Sequence, residues 1–112
     1  MKLKLLFLIL IFFLSCRINQ EISSKEYAKI GTKAFKLKLY SEAEFRFKQA
    51  VEKEPKNPEY LNNLAVICEI LGKIEEAKNY YNEALKIAPN NKKIKENYER
   101  FENYIKLNYP AP

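Results

Sequence analysis

The chain has 112 residues and a formal net charge of +6, with 20 basic and 14 acidic side chains. It contains no histidine and only two glycines, so it lacks the commonest general base and any glycine-rich loop for a phosphate. We therefore predict that it is not an enzyme and holds no metal or cofactor. Because 17 of the basic residues are lysine, and nucleic-acid surfaces favour clustered arginine with aromatic stacking, we also predict no nucleic-acid partner.

The N-terminal segment, residues 1–15, is predicted to be a signal peptide. A short basic region with Lys2 and Lys4 precedes a run from Leu5 to Leu14 that has no polar side chain. This layout is typical of secretion signals. Ten helical residues cover about 15 Å, whereas the hydrocarbon core of a bilayer is about 30 Å thick. A transmembrane anchor is therefore the weaker interpretation.

A cysteine follows this apolar run. The tetrapeptide Phe13-Leu14-Ser15-Cys16 resembles the lipobox of bacterial lipoproteins, although Phe13 is bulkier than the usual leucine. The resemblance implies cleavage before Cys16, acylation of that residue and a polar tether over residues 16–23. It also implies a domain anchored by lipid to the bacterial cell membrane or outer membrane, on the periplasmic or extracellular side. An ordinary cleaved signal and an uncleaved membrane anchor remain alternatives.

Beyond the tether, residues 24–57 and residues 58–91 repeat one pattern. Eight positions of the first segment have a similar residue 34 positions later. A period of this length is typical of helical repeat arrays, in which each unit packs on its neighbours. The eight pairs are Tyr27/Leu61, Ile30/Leu64, Gly31/Ala65, Ala34/Cys68, Ala43/Ala77, Phe47/Tyr81, Ala50/Ala84 and Pro55/Pro89.

These positions resemble the tetratricopeptide repeat family, over about two repeats. The resemblance implies an all-α fold, an antiparallel helix-hairpin solenoid in which small residues let paired helices approach closely. Phe47 and Tyr81 would fill the space that remains. Pro55 and Pro89 would end the second helix of each repeat, because proline lacks an amide donor. Tyr27 stands where tryptophan is usual, which is a mild departure.

Four helices are predicted within the two repeats, and three local signals mark their ends. Ser41-Glu42-Ala43-Glu44 is a capping-box sequence at the start of the second helix. Asn57 precedes a proline, which suits an N-cap followed by the first helical position. Gly72 suits the turn of the second hairpin. The predicted helices span about 23–38, 41–54, 58–71 and 74–87.

A fifth helix, within residues 92–108, is predicted to cap the stack before a short tail, 109–112. Its apolar residues are spaced by four, three and four, which makes one stripe on an otherwise charged helix. Glu99 and Glu102 occupy the positions where a third repeat needs a small and an aromatic residue. Two repeats and a cap lie near the lower limit for a stable stack, which leaves a homodimer open. The stripe comprises Ile94, Tyr98, Phe101 and Ile105.

The second cysteine, Cys68, is predicted to be a small buried core residue. If Cys16 is acylated, Cys68 has no disulfide partner in the chain. Buried cysteines usually behave as small apolar residues. With no histidine nearby or elsewhere in the chain, we expect no metal site at this position.

The family resemblance also implies a concave groove that binds another protein or a peptide. The lysines at one end of this groove would attract carboxylates. The neighbouring side-chain amides of Asn62 and Asn63 would hold the backbone of an extended peptide. Asn63 matches the central asparagine of the subclass that grips C-terminal carboxylates, but Ala28 and Thr32 replace two of its other residues, so a complete clamp is absent. The predicted partner-binding residues are Lys25, Lys29, Thr32, Lys36, Asn62, Asn63, Val66 and Arg100.

These features lead to one hypothesis about function and one alternative. The hypothesis is a membrane-tethered adaptor or scaffold of the bacterial envelope, which binds an envelope protein or peptide during assembly of the envelope or of outer-membrane proteins. The alternative is a structural or surface-exposed lipoprotein that takes no groove ligand.

Overall fold

The computed structural model of this protein describes residues 1–18 and 21–112, without the side chains of residues 15–18. Six α-helices make up most of the described chain, and these residues contain no β-strand. The prediction of an all-α fold is thus confirmed. The helices are α1 (Lys2–Ile18), α2 (Ser24–Lys36), α3 (Tyr40–Lys53), α4 (Pro58–Ile70), α5 (Ile74–Ile87) and α6 (Lys92–Asn108).

Helices α2 to α6 stack as two hairpins and a closing helix. Helix α2 pairs with α3, and α4 pairs with α5. Helix α3 also packs on α4 and so joins the hairpins, while α6 packs on both α5 and α4. The predicted antiparallel helix-hairpin solenoid with a C-terminal capping helix is therefore confirmed.

Small residues allow the helices of the stack to approach closely. Ala43, Ala65 and Ala77 have no exposed surface. A Cβ atom added to Gly31 would lie only 2.8 Å from Cδ2 of Phe47, and Phe47 is itself buried. The aromatic ring therefore occupies the space that a larger residue at position 31 would need.

Each of the two hairpin turns contains one residue with positive φ. Lys38 has φ 59° and Gly72 has φ 74°, so the turns repeat the 34-residue period of the sequence. Each turn is closed by a backbone hydrogen bond, from Leu39 to Ala34 (2.9 Å) and from Lys73 to Cys68 (2.8 Å). Glycine suits this conformation, whereas a lysine adopts it at an energetic cost.

We expect Gly72→Ala to lower the free energy of unfolding by about 1 kcal/mol. No atom lies within 4 Å of the added Cβ, so only the backbone conformation is penalised. Lys38→Gly relieves the corresponding cost in the first turn and should stabilise the protein by about 0.5 kcal/mol, since glycine also loses more entropy on folding. Urea unfolding followed by circular dichroism measures both changes. Two shifts of the same sign would contradict this account of the turns.

Asparagine side chains cap two of the helices. Oδ1 of Asn57 accepts hydrogen bonds from the backbone amides of Glu59 (3.1 Å) and Tyr60 (3.2 Å) at the start of α4. Oδ1 of Asn91 accepts from the amide of Ile94 (3.1 Å) at the start of α6. The N-cap predicted at Asn57 is confirmed, and α4 begins with a proline as expected.

The capping box predicted at Ser41 is wrong. Helix α3 begins at Tyr40, its N-cap is Leu39, and no side chain caps it. The N-cap therefore lies two residues before the expected position. Glu44, which would complete the box, instead accepts hydrogen bonds from the ammonium group of Lys73. A long-range ion pair has therefore replaced the local cap.

Helix α1 exposes its apolar side chains. Those between Leu3 and Leu14 have between 45 and 85 per cent of their surface exposed. Within the described part of the chain, no helix has both the length and the apolar content needed to cross a membrane. The predicted acylation of Cys16 falls outside the described residues, because the structure does not describe that side chain.

Candidate functional site

The first helices of the two hairpins and the capping helix line a concave pocket of about 360 Å³. Its floor is apolar and is formed by buried or half-buried side chains of α2, α3 and α4. Polar side chains surround this floor, so the pocket combines an apolar contact surface with hydrogen-bonding groups. The floor residues are Phe35, Phe47, Val66 and Ile67, and the polar ones are Thr32, Glu59, Asn62, Asn63, Lys93, Asn97 and Arg100.

Five of the eight predicted groove residues line this pocket. They come from α2, α4 and α6. The 34-residue period relates α2 to α4, and the capping helix α6 packs on α4, which is why a sequence pattern could bring them together. The floor residues Phe47 and Ile67 were not among those predicted. The repeat pattern assigned Phe47 to the space between paired helices, and Ile67 is not one of its eight positions. The five are Thr32, Asn62, Asn63, Val66 and Arg100.

The predicted basic end of the groove is a separate surface. Lys29 and Lys36 line a depression on α2 together with Lys33 and Glu26, and Lys25 is exposed on the same helix. Thr32 borders both the depression and the pocket. The pocket therefore has its own cations, from α6, and the lysines of α2 face solvent beside it.

Asn62 connects two helices within the pocket. It has only 1 per cent of its surface exposed, and its Oδ1 accepts a hydrogen bond from Nδ2 of Asn97 on α6 (3.2 Å). Asn97 in turn accepts from Arg100 (3.2 Å). The sequence suggested that Asn62 would hold a ligand, but its acceptor oxygen already holds α6 against α4.

Arg100 continues this network to the core. Its guanidinium lies 3.2 Å from Oε2 of Glu69, which also accepts a hydrogen bond from the hydroxyl of Tyr81 (2.9 Å). Burial raises the pKa of Tyr81 well above its usual value, and the neighbouring Glu69 carboxylate raises it further. Tyr81 thus stays a donor at physiological pH, and Arg100 is positioned with part of its charge already neutralised.

Asn63 differs from its neighbour Asn62. It is half-buried on α4 and lines the pocket. Within the described residues its side-chain amide makes no hydrogen bond to the protein. Its donor group and its acceptor oxygen are therefore available to whatever occupies the pocket.

Thr32 and Lys93 complete the polar wall. The hydroxyl of Thr32 donates to the carbonyl oxygen of Ala28 (2.9 Å), which leaves its oxygen as an acceptor. Lys93 is exposed and makes no ion pair with any described residue. Lys93 on α6 can therefore attract a negative group of a ligand. Glu59 on α4 adds one negative charge to the same pocket.

A second cluster of chemically interesting side chains lies away from the pocket. Three side chains each offer one potential ligand atom, and these atoms lie within 4.8 Å of one another. They belong to Glu44, Cys68 and Glu76. Lysine ammonium groups occupy this space, since Lys48 and Lys73 each lie 2.8 Å from Oε1 of Glu44. The arrangement is that of an ion-pair cluster beside the core.

The titration behaviour of this cluster agrees with a structural role. Burial opposes the charge of Glu44, but hydrogen bonds from Lys48 and Lys73 outweigh it and lower the pKa of the carboxyl. Burial raises the pKa of the Cys68 thiol to about 11. The thiol is therefore protonated near neutral pH and is a weak nucleophile and ligand. The prediction that Cys68 is a buried core residue is confirmed.

Comparisons with known proteins match part of the chain to a family and most of it to solved structures. Residues 58–91 match the family described as Tetratricopeptide repeat. The TPR domain of Arabidopsis OM64 superposes with a TM-score of 0.68 and 23% identity, over 74% of this chain and 69% of that one. The first TPR of Spaghetti (RPAP3), bound to the HSP90 peptide SRMEEVD, gives a TM-score of 0.44 and 20% identity, over 74% and 93%. No curated protein matches.

The matched span coincides with α4, α5 and the turns that follow them. These two helices supply the half-buried Asn63 and the buried Tyr81 described above. At 23% identity the likeness to the OM64 domain concerns the fold. Residues 58–91 therefore match the tetratricopeptide repeat family, and they lie in a helical stack with the fold of a TPR domain.

Proposed function

We propose that this protein is a membrane-tethered interaction adaptor of the bacterial envelope. Its concave pocket takes an extended segment of a partner protein or peptide. A lipid on Cys16 holds the domain at the cell membrane or outer membrane, on the periplasmic or extracellular side. Assembly of envelope or outer-membrane proteins is the setting that we propose for this adaptor.

The observation that carries the proposal is the amide of Asn63. This amide makes no hydrogen bond to any described residue, and it is accessible, since no buried side-chain polar atom of the described residues lacks a partner. An extended peptide presents one N–H donor and one C=O acceptor per residue, which match the two functions of an asparagine side chain. The pocket is thus equipped to hold a backbone.

The remaining pocket residues suit the side chains of such a segment. The volume of about 360 Å³ admits one or two side chains. Val66 and Phe35 offer apolar contact, and Lys93 at the rim favours an acidic group. The residues of α6 therefore contribute specificity, while α4 contributes the backbone contact.

The membrane attachment rests on the N-terminal sequence. A basic start, an apolar run and a small residue before Cys16 are arranged as in lipoprotein signals. A single acyl chain binds a membrane only marginally, whereas two or more give stable anchoring. Lipidation of Cys16 would therefore keep the pocket permanently near the bilayer.

The alternative is a structural surface lipoprotein that takes no ligand in its pocket. One observation favours it: Asn62, Asn97 and Arg100 already bond to one another and to Glu69. Much of the polar wall is thus satisfied within the protein. Under this alternative the stack serves as a spacer or an exposed antigen.

A photo-crosslinking experiment distinguishes these functions. We place a photoreactive residue at Glu59, on the pocket rim, and in a matched variant at Glu83, which is exposed on α5 outside the pocket. We expect a discrete adduct in native cells from position 59 only. Asn63→Ala should reduce its yield about fivefold, the equivalent of about 1 kcal/mol for one hydrogen bond.

The control for that loss is Asn103→Ala, an exposed asparagine of α6 outside the pocket. It should leave the adduct unchanged. Equal adducts from positions 59 and 83, or equal losses from the two asparagine variants, would refute binding in the pocket and favour the spacer.

A further inference from the structure

Four lysines form a continuous positive surface on α2. Lys25, Lys29, Lys33 and Lys36 are spaced by four, four and three residues, which places them on one face of a helix. All four are exposed, while the opposite face of α2 buries Gly31 and Ala34. We refer to these four residues as the lysine stripe.

The lysine stripe is not neutralised, unlike several other cations of the stack. Arg46, Lys48, Lys73 and Arg100 each lie within 3.2 Å of a carboxylate oxygen. No carboxylate of the described residues lies within 4.0 Å of a stripe ammonium group. Glu26, which shares the depression with three of the lysines, is a single acidic neighbour. The charge of the stripe is therefore available to a partner.

Exposed apolar side chains follow the stripe directly. Leu37 has 61 per cent and Leu39 has 55 per cent of its surface exposed, in the turn between α2 and α3. Lys38 lies between them. Surfaces that bind at the boundary of headgroups and acyl chains combine cations with large apolar side chains in this way.

The position of α2 in the chain places the stripe near the bilayer. Seven residues separate Cys16 from Ser24, where α2 begins, so an extended chain spans at most about 28 Å. Helix α2 is therefore the element of the stack that the proposed lipid would hold closest to the membrane. This step rests on the proposed attachment, whereas the charge and exposure of the stripe do not.

We propose that the lysine stripe docks the stack onto anionic phospholipid headgroups, with Leu37 and Leu39 entering the interface. Lysine is a compact point charge that suits a diffuse anionic surface, whereas bidentate recognition of one carboxylate favours arginine. The stripe also lies outside the pocket that is equipped with amides. Docking would fix how the adaptor stands on the membrane, beyond merely keeping it nearby.

A tryptophan reporter tests the docking in the full chain. The protein contains no tryptophan, so Leu37→Trp introduces a single fluorophore beside the stripe. The chain is reconstituted in vesicles of phosphatidylcholine alone, or with about 30 mol% phosphatidylglycerol, each containing brominated lipid that quenches at the interface. We expect quenching in the anionic vesicles only, and its loss at about 0.5 M salt, where screening is strong.

Charge variants identify the surface responsible. Changing all four stripe lysines to glutamine in the reporter chain should weaken docking at least tenfold, because each lysine near an anionic surface contributes about fivefold. The matched control changes four exposed lysines outside the stripe and the pocket. It removes the same charge and should weaken docking less than threefold. The control positions are Lys56, Lys86, Lys95 and Lys106.

Three outcomes would overturn the docking. They are equal quenching in neutral and anionic vesicles, equal losses from the two lysine sets, and equal quenching of a distant reporter made by Leu107→Trp. If the stripe binds an acidic peptide but does not bind anionic vesicles, its partner is a protein instead of a membrane. Failure of the proposed lipid attachment can be distinguished from failure of the docking. In that case palmitate would be missing at Cys16, while the difference in quenching between neutral and anionic vesicles would persist.

Discussion

Phe101→Ala is expected to lower the free energy of unfolding by about 4 kcal/mol. The ring has no exposed surface and lies with its centroid 5.4 Å from that of Tyr81. It is the largest side chain that α6 buries. Truncation leaves a cavity and removes the aromatic contact that attaches the capping helix.

The size of the domain makes this loss severe. Domains are commonly stable by only about 5–15 kcal/mol, and a short stack relies on each neighbouring unit. We expect the pocket to open as well, because Asn97 and Arg100 reach it from α6. Urea unfolding of the full chain, followed by circular dichroism, measures the change.

Tyr104→Ala is the matched control for this experiment. Tyr104 lies on the same helix but is 45 per cent exposed, so its loss should cost less than about 0.5 kcal/mol. Phe101→Leu should recover most of the stability, since it refills much of the cavity. Similar shifts for Phe101→Ala and Tyr104→Ala would mean that α6 does not cap the stack in solution.

Cys16→Ala is expected to abolish lipid attachment completely. Acylation needs the thiol of this residue, and the resemblance to a lipobox places no other cysteine at the junction. Labelled palmitate supplied to cells should enter the wild-type chain and be absent from the variant. Cell fractionation should show the corresponding loss of stable membrane anchoring.

Cys68→Ala controls for labelling of any available thiol. Cys68 is buried and its thiol stays protonated near neutral pH, so this variant should keep the full palmitate signal. Label that persists in Cys16→Ala would refute acylation there. The mass of the unlabelled wild-type chain would then separate the two alternatives, because a cleaved signal shortens the chain and an uncleaved anchor does not.

Much of the fold could be predicted because its determinants are local and periodic. The 34-residue offset identifies equivalent positions, and the family resemblance predicted a close approach of paired helices at small residues, which the structure shows at Gly31. Proline and asparagine mark helix ends through their own backbone chemistry, and Asn57 caps α4 as expected. Ser41 shows the limit of such signals. The predicted capping box required Glu44, but Lys73 of the next hairpin donates a hydrogen bond to Glu44 instead.

The candidate site could be predicted in part. Asn62, Asn63 and Arg100 were predicted on one surface because the family resemblance assigns the concave face to the first helix of each repeat, which the capping helix continues. The prediction treated the lysines of α2 as part of the same groove, since residue spacing shows which face of a helix a residue occupies but not how that face curves around a pocket. The structure separates Lys29 and Lys36 from the pocket.

The sequence alone determined the helix pairs, their order and the small residues between them, because neighbours within one hairpin are set by short-range periodicity. Only the tertiary structure distinguished Asn62 from Asn63. These adjacent residues have the same side chain. Asn62 accepts a hydrogen bond from Asn97, 35 residues away, whereas the side chain of Asn63 makes no hydrogen bond to a described residue. The difference depends on how α6 packs against α4, which is a contact between residues far apart in the sequence and has no local signal.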